Sequence, residues 1–137
     1  MKKKPSLSKT LKRTWDIFSK YIRLRDCLKT TGNPATGKCY TCGRLCEYVN
    51  CDAGHFVSRR FKSTLFDERN VNLQCKSCNG FPGAATYREY EKHLIKDYGE
   101  GIVIELEGLA QEIKKWTIPD LKELQDQLNE KIKALED

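Results

Sequence analysis

Cys39-Tyr-Thr-Cys42, Cys51-Asp-Ala-Gly-His55-Phe56 and Cys75-Lys-Ser-Cys78-Asn79 are the pieces of sequence whose reading decides the fold. Each C-x-x-C puts two thiolates on one tight turn, and two such turns satisfy the tetrahedral preference of Zn²⁺ with a closed, four-sulfur site. A closed site has no open coordination position, so its metal holds the fold and the chemistry falls to other residues. His55 precedes the second pair and Asn79 follows it directly, which makes these two the first candidates.

Outward from this centre, the chain of 137 residues suits one compact domain with helical extensions. Hydrophobic residues make up 39% and charged residues 32%, so apolar burial alone is marginal and a metal staple has a physical purpose. Seven cysteines are an odd number for a disulfide framework, and Met1-Lys-Lys-Lys-Pro5 has no apolar stretch behind it. We therefore expect no secretory leader, no membrane span and a reducing cytoplasm in which thiolates bind zinc. Cys46 and Cys51 could instead join Cys39 and Cys42 in a cluster of their own. The simpler account makes Cys27, Cys46 and Cys51 small buried thiols.

The net charge of +6 is unevenly spread: residues 1–38 carry eleven Lys/Arg against two Asp, whereas residues 81–137 carry eight against thirteen acidic groups. A basic amino-terminal third on a zinc-stapled fold favours a nucleic-acid partner over a membrane. Within it, Leu11, Trp15, Phe18, Ile22 and Arg25 recur at helical spacing and predict an amphipathic helix over 8–29, with Lys9, Lys12, Arg13, Lys20 and Arg23 on the other face. Thr31-Gly-Asn-Pro34 ends it. Leu45–Val49 and Cys51–Val57 are β-favouring around Asn50 and predict a hairpin, followed by a polar basic loop over 58–70 and a strand at Val71–Gln74.

A helix is expected over 86–98, with Tyr87, Tyr90, Leu94 and Tyr98 on one face and His93 on the polar one, then a short strand at 102–109. The final helix starts near Thr117, whose Thr-Ile-Pro-Asp order supplies an N-cap, an early proline and a carboxylate three residues on. Its stripe of Leu121, Leu124, Leu128, Ile132 and Leu135 either packs in cis or forms a homodimer with a second copy. Three parts follow: a basic helical arm at 1–34, a zinc-held core at 35–99 and a helical extension at 100–137.

Cys39-x-x-Cys42-Gly43, Ala53-Gly-His55-Phe56-x-Ser58-Arg59, Phe66, Asn70-x-x-x-Gln74-Cys75-x-x-Cys78-Asn79, Tyr87-Arg88 and the Leu-rich terminal helix agree in order with one family. From Tyr21 to its end the chain resembles the bacteriophage NinG (Rap) recombination endonucleases, and its centre is similar to the HNH nucleases. The resemblance implies an α+β fold, a zinc treble clef with a ββα-metal core between amino- and carboxy-terminal helices. It also implies a metal-dependent DNA endonuclease acting on branched recombination intermediates in the host cytoplasm. His55 matches the general base, Asn70 the middle asparagine that fixes the loop carrying it, and Asn79 the last position, a ligand for catalytic Mg²⁺ or Mn²⁺.

Where many HNH enzymes place an acidic or imidazole ligand just before the base, this chain has Gly54. Strand alternation puts Asp52 on the side of Gly54, so Asp52 is the candidate replacement. Arg59 and Arg60 follow the base and offer guanidinium forks to phosphate. Two rival readings are a nicking enzyme on ordinary duplex and a zinc-dependent DNA-binding module without catalysis.

Overall fold

The computed structural model describes residues 4–137. Lys2 and Lys3 of the amino-terminal basic run lie outside the described residues. The architecture is mixed α+β: α1 (Leu7–Thr31), β1 (Thr36–Lys38), β2 (Leu45–Glu47), β3 (Asp52–His55), β4 (Val71–Gln74), α2 (Lys76–Gly80), α3 (Ala84–Tyr98), α4 (Ile102–Ala110) and α5 (Ile118–Glu136).

Helix α1 has caps at both ends. The Ser6 side chain accepts from Lys9 N at 3.2 Å, and Gly32 takes the left-handed conformation at φ 76° that releases the chain into β1. Its buried face, with Phe18, Tyr21, Ile22 and Leu24, forms one core with Ala53, Val71, Leu128 and Ile132. Helix α5 supplies the last two from a capping box at Thr117 and Asp120. It runs in the same direction as α1, with Gln125 donating to the Thr14 hydroxyl near one end and Lys20 facing Glu136 near the other. The α5 stripe is therefore covered in cis, with Leu121, Leu128 and Ile132 buried.

Two expectations about strands fail. The hairpin over Leu45–Val49 and Cys51–Val57 does not form: β2 pairs antiparallel with β1, Cys46 opposite Gly37, and β3 pairs antiparallel with β4, His55 opposite Val71. The reason lies in the first cysteine turn, which closes β1 onto β2 through Cys39 N to Arg44 O at 2.9 Å and leaves 48–50 as a turn. Residues 102–109 are helical, not a strand. The β-branched Ile102-Val-Ile104 run misleads by composition, while Ile102, Leu106 and Ala110 are spaced by four and buried, and the first two pack on Tyr90 and Leu94 of α3. Tyr87 and Tyr98, expected on the apolar face of α3, stay 44% and 43% exposed.

Candidate metal centre and the cleft beside it

Cys39 leaves β1, Cys42 follows on a turn whose next residue, Gly43, has φ 76°, Cys75 is the N-cap of α2 and Cys78 lies within that helix. The turn is closed by Gly43 N to Cys39 O at 3.0 Å, and Tyr40 N bonds Leu73 O at 2.7 Å, which ties the first pair to the strand that carries the second. All four Sγ atoms fall within 4.8 Å of one another, and Cys42 Sγ is 3.8 Å from Cys75 Sγ. A Zn–S bond of about 2.3 Å gives a tetrahedral edge of roughly 3.8 Å, so the donor set fits zinc.

Burial raises Cys39, but the Cys42 N–H, the Thr41 hydroxyl and the Cys75 N–H outweigh it and hold this thiol down at about 6. Burial and crowding push Cys78 up to about 12. Burial also raises Cys42, so a cation would favour the thiolate form of Cys42 and Cys78 beside Cys39. Cys27 and Cys51 are buried around Leu73 with Cys46 beside them, as small thiols apart from this group.

On the outer side of this anchor, β3, β4 and α2 follow as strand, strand and helix. His55 ends β3, and its Nε2 lies 3.1 Å from the Leu65 carbonyl. A carbonyl only accepts, so Nε2 carries the proton and Nδ1 keeps its lone pair. Burial pulls the imidazole down to about 4, with Arg59 adding to the effect and the Leu65 bond opposing it. The ring stacks on Trp15 at 4.8 Å.

Asn70, fully buried, holds the loop that supplies Leu65. Its Oδ1 accepts from Val57 N at 2.7 Å, and its Nδ2 donates to Val57 O at 3.0 Å and Thr64 O at 3.2 Å. Every partner is a main-chain atom, so this one amide fixes both ends of the 57–64 turn.

The alternation of β3 sends Asp52 and Gly54 to one side, where Asn79 arrives from α2. Asn79 Nδ2 donates to Asp52 Oδ2 at 3.0 Å. A Cβ on residue 54 would sit 1.8 Å from Gln74 Oε1 and 2.9 Å from Asn79 Oδ1. The space of the absent side chain is thus filled by two amides, which would have to shift to admit a larger residue.

A cleft of about 370 Å³ runs past Asp52, Asn79, Lys76 and Arg59, with Trp15 as one wall. The structure therefore brings Asp52, Asn79 and Arg59 to one cleft, with His55 behind Trp15. Trp15 packs against the core as its place on the apolar face of α1 predicts, and it walls the cleft as well, which sequence reading did not foresee; nor did it single out Lys76, whose Nζ is 2.6 Å from Asp52 Oδ1. Lys76 precedes Asn79 by one helical turn, a spacing that could have revealed it.

Three basic or polar expectations change. Arg23 is not a free cation: it donates to Tyr48 O at 3.0 Å and lies over the Tyr48 ring at 4.4 Å. Arg25 forms a two-pronged pair with the buried Asp26 and also reaches Glu68 O and Val71 O. His93 is structural, because its Nδ1 bonds the Tyr40 carbonyl and clasps α3 to the cysteine turn. Lys9, Lys12 and Arg13 remain exposed and outside ion pairs among the described residues.

Four thiols placed so that they could hold a metal, beside a strand, strand and helix with a polar cleft at their edge, define a mixed α+β protein with a candidate cysteine metal site. The chain belongs to the NinG family: the family model described as "Bacteriophage Lambda NinG protein" matches residues 1–137. It is 32% identical to "Protein ninG" of Salmonella phage P22 over 72% of this chain and 48% of that protein. It is 33% identical to the protein of that name from Enterobacteria phage H19B over 71% of this chain and 47% of that protein. The chain thus spans about half the length of the curated relatives it matches. No solved structure matches it. No described helix is long and apolar enough to cross a membrane.

Proposed function

We propose that this chain is a metal-dependent DNA endonuclease of the HNH-like type, with branched recombination intermediates as its substrates. The observation that carries this reading is the contact of His55 Nε2 with the Leu65 carbonyl at 3.1 Å, which leaves Nδ1 as the candidate base on the same strand as Asp52, itself paired with Asn79. The order of β3, β4 and α2 supports a ββα-metal core, and the four thiols support the zinc that would anchor it.

In the proposed reaction His55 Nδ1 takes a proton from the water that attacks phosphorus. Its depressed pKa keeps it unprotonated at neutral pH, at the cost of basicity; a phosphate drawn into the cleft would raise it. Arg59, over the Trp15 ring at 5.2 Å, offers its fork to a phosphate oxygen. Asp52, and Asn79 once its amide turns, would offer oxygen donors that suit a hard divalent cation, Mg²⁺ or Mn²⁺, which when bound would neutralise charge gathering on the phosphate oxygens. The products are a 5′-phosphate and a 3′-hydroxyl. The exposed lysines of α1 hold the DNA backbone, and the site of action is the host bacterial cytoplasm, where thiols stay reduced.

One observation favours a rival, the zinc-held DNA-binding module: Trp15 covers a face of the imidazole, as it would for a purely structural histidine. Incubation of zinc-loaded protein with labelled linear duplex and a four-way junction, in Mg²⁺, Mn²⁺ or EDTA, decides. Metal-dependent cleavage that prefers the junction is expected. Nicking of linear duplex at the same rate would leave a general nicking enzyme, and no cleavage of any substrate would leave the binding module.

A further inference from the structure

Asp52 has two neighbours in the cleft, and the shorter contact is with a cation. Lys76 Nζ lies 2.6 Å from Oδ1, while Asn79 Nδ2 donates to Oδ2 at 3.0 Å. Both partners come from α2, one turn apart, so they reach the carboxylate from the same element. The Asn79 amide is turned with its NH₂ toward Asp52 and its oxygen over Gly54. That orientation serves a carboxylate already neutralised by an ammonium. For a divalent ion the amide has to turn and offer Oδ1, since only oxygen ligates a hard cation.

From this geometry we infer that Lys76 is a built-in competitor for the divalent cation at Asp52 and Asn79, occupying the ion's position until it is displaced. This inference rests on the metal role proposed for those two residues. The ammonium 2.6 Å from Oδ1 neutralises the carboxylate that a divalent cation would need, and like charges so close repel, so the two states oppose each other. The contact is easily opened: the Lys76 side chain is 69% exposed, and an exposed ion pair holds weakly. Lys76 thus sets the metal concentration at which the site fills without closing it permanently. The chain compensates for the ligand missing at Gly54 with Asp52, and the adjacent lysine makes that compensation conditional.

Mn²⁺ binding to zinc-loaded protein, followed by electron paramagnetic resonance without DNA, tests this independently of cleavage. Lys76→Met keeps the aliphatic stem and should bind Mn²⁺ about two- to fivefold more tightly than the wild type. Asp52→Asn should lose the site, and adding Lys76→Met to it should restore nothing. Zinc content, measured alongside, should stay equal in all variants, because Lys76 touches none of the four thiols. Mn²⁺ binding that depends on Asp52 but is no tighter in Lys76→Met would overturn the inference and leave the metal role standing. Mn²⁺ binding that ignores Asp52 would overturn both.

Discussion

Replacing Asn70 with alanine removes the side chain that ties the strand carrying His55 to its loop. Three hydrogen bonds disappear at once, and their partners, Val57 N, Val57 O and Thr64 O, are main-chain groups with no substitute nearby. Each buried group left unpaired costs about 1–3 kcal/mol, so the sum is about 3–5 kcal/mol once the turn relaxes. For a chain of this size, about 3–4 °C of Tm is lost per kcal/mol, which gives a drop of about 10–20 °C. Circular dichroism melts of the zinc-loaded protein read it directly. Asn70→Asp keeps the acceptor for Val57 N but loses both donated bonds and buries a carboxylate against the Val57 and Thr64 carbonyls, so its loss should be at least as large as that of the alanine variant. Below its melting point either variant should cleave at least about tenfold more slowly, because the Leu65 carbonyl that sets the His55 tautomer moves with the turn. A Tm drop under 3 °C, or full cleavage by folded Asn70→Ala, would refute the reasoning.

Three further outcomes are expected. Cys75→Ser should release zinc and unfold the chain, since Cys75 is one of the four grouped thiols and also caps α2; full zinc retention would exclude the four-thiol site. Stability should fall as pH drops from the ordinary histidine value of 6.5 towards the folded value of about 4, by up to about 3 kcal/mol, because across that window the unfolded chain binds a proton that folded His55 refuses. His55→Gln should shrink this loss in denaturant titrations at pH 7.5 and 4.5, and an equal loss would assign it to other groups. Gly54→Ala should destabilise by about 1–3 kcal/mol, since its Cβ drives into buried Gln74; a melting point equal to the wild type would show that Gln74 yields freely.

Much of the scaffold was legible because its signals are local. Two C-x-x-C pairs declare a site by spacing alone, and α1, α3 and α5 carry caps and 3.6-residue periodicity within their own segments. Even the meeting of Asp52 with Asn79 was partly visible, since alternation along one strand assigns Asp52 to the side of Gly54. Strand partners were not legible. β-favouring residues at 45–49 and 51–57 say that strands form and nothing of which strand pairs with which, and that choice is made by the cysteine turn and by β4, some twenty residues away. Arg23 and His93 were misread for a related reason: their partners, Tyr48 and Tyr40, are distant in sequence, and a polar residue on a helix looks solvated until its neighbour is known.

The most direct measurement is cleavage of a labelled four-way junction by His55→Ala in Mg²⁺, with zinc content, melting point and DNA affinity measured on the same preparation. A positioned base contributes roughly 10²–10⁴-fold. Loss of cleavage by that factor, with zinc and DNA binding near wild type, is the predicted result. Cleavage at the wild-type rate would contradict the account, because His55 would then be a structural histidine against Trp15 and the base would have to lie elsewhere.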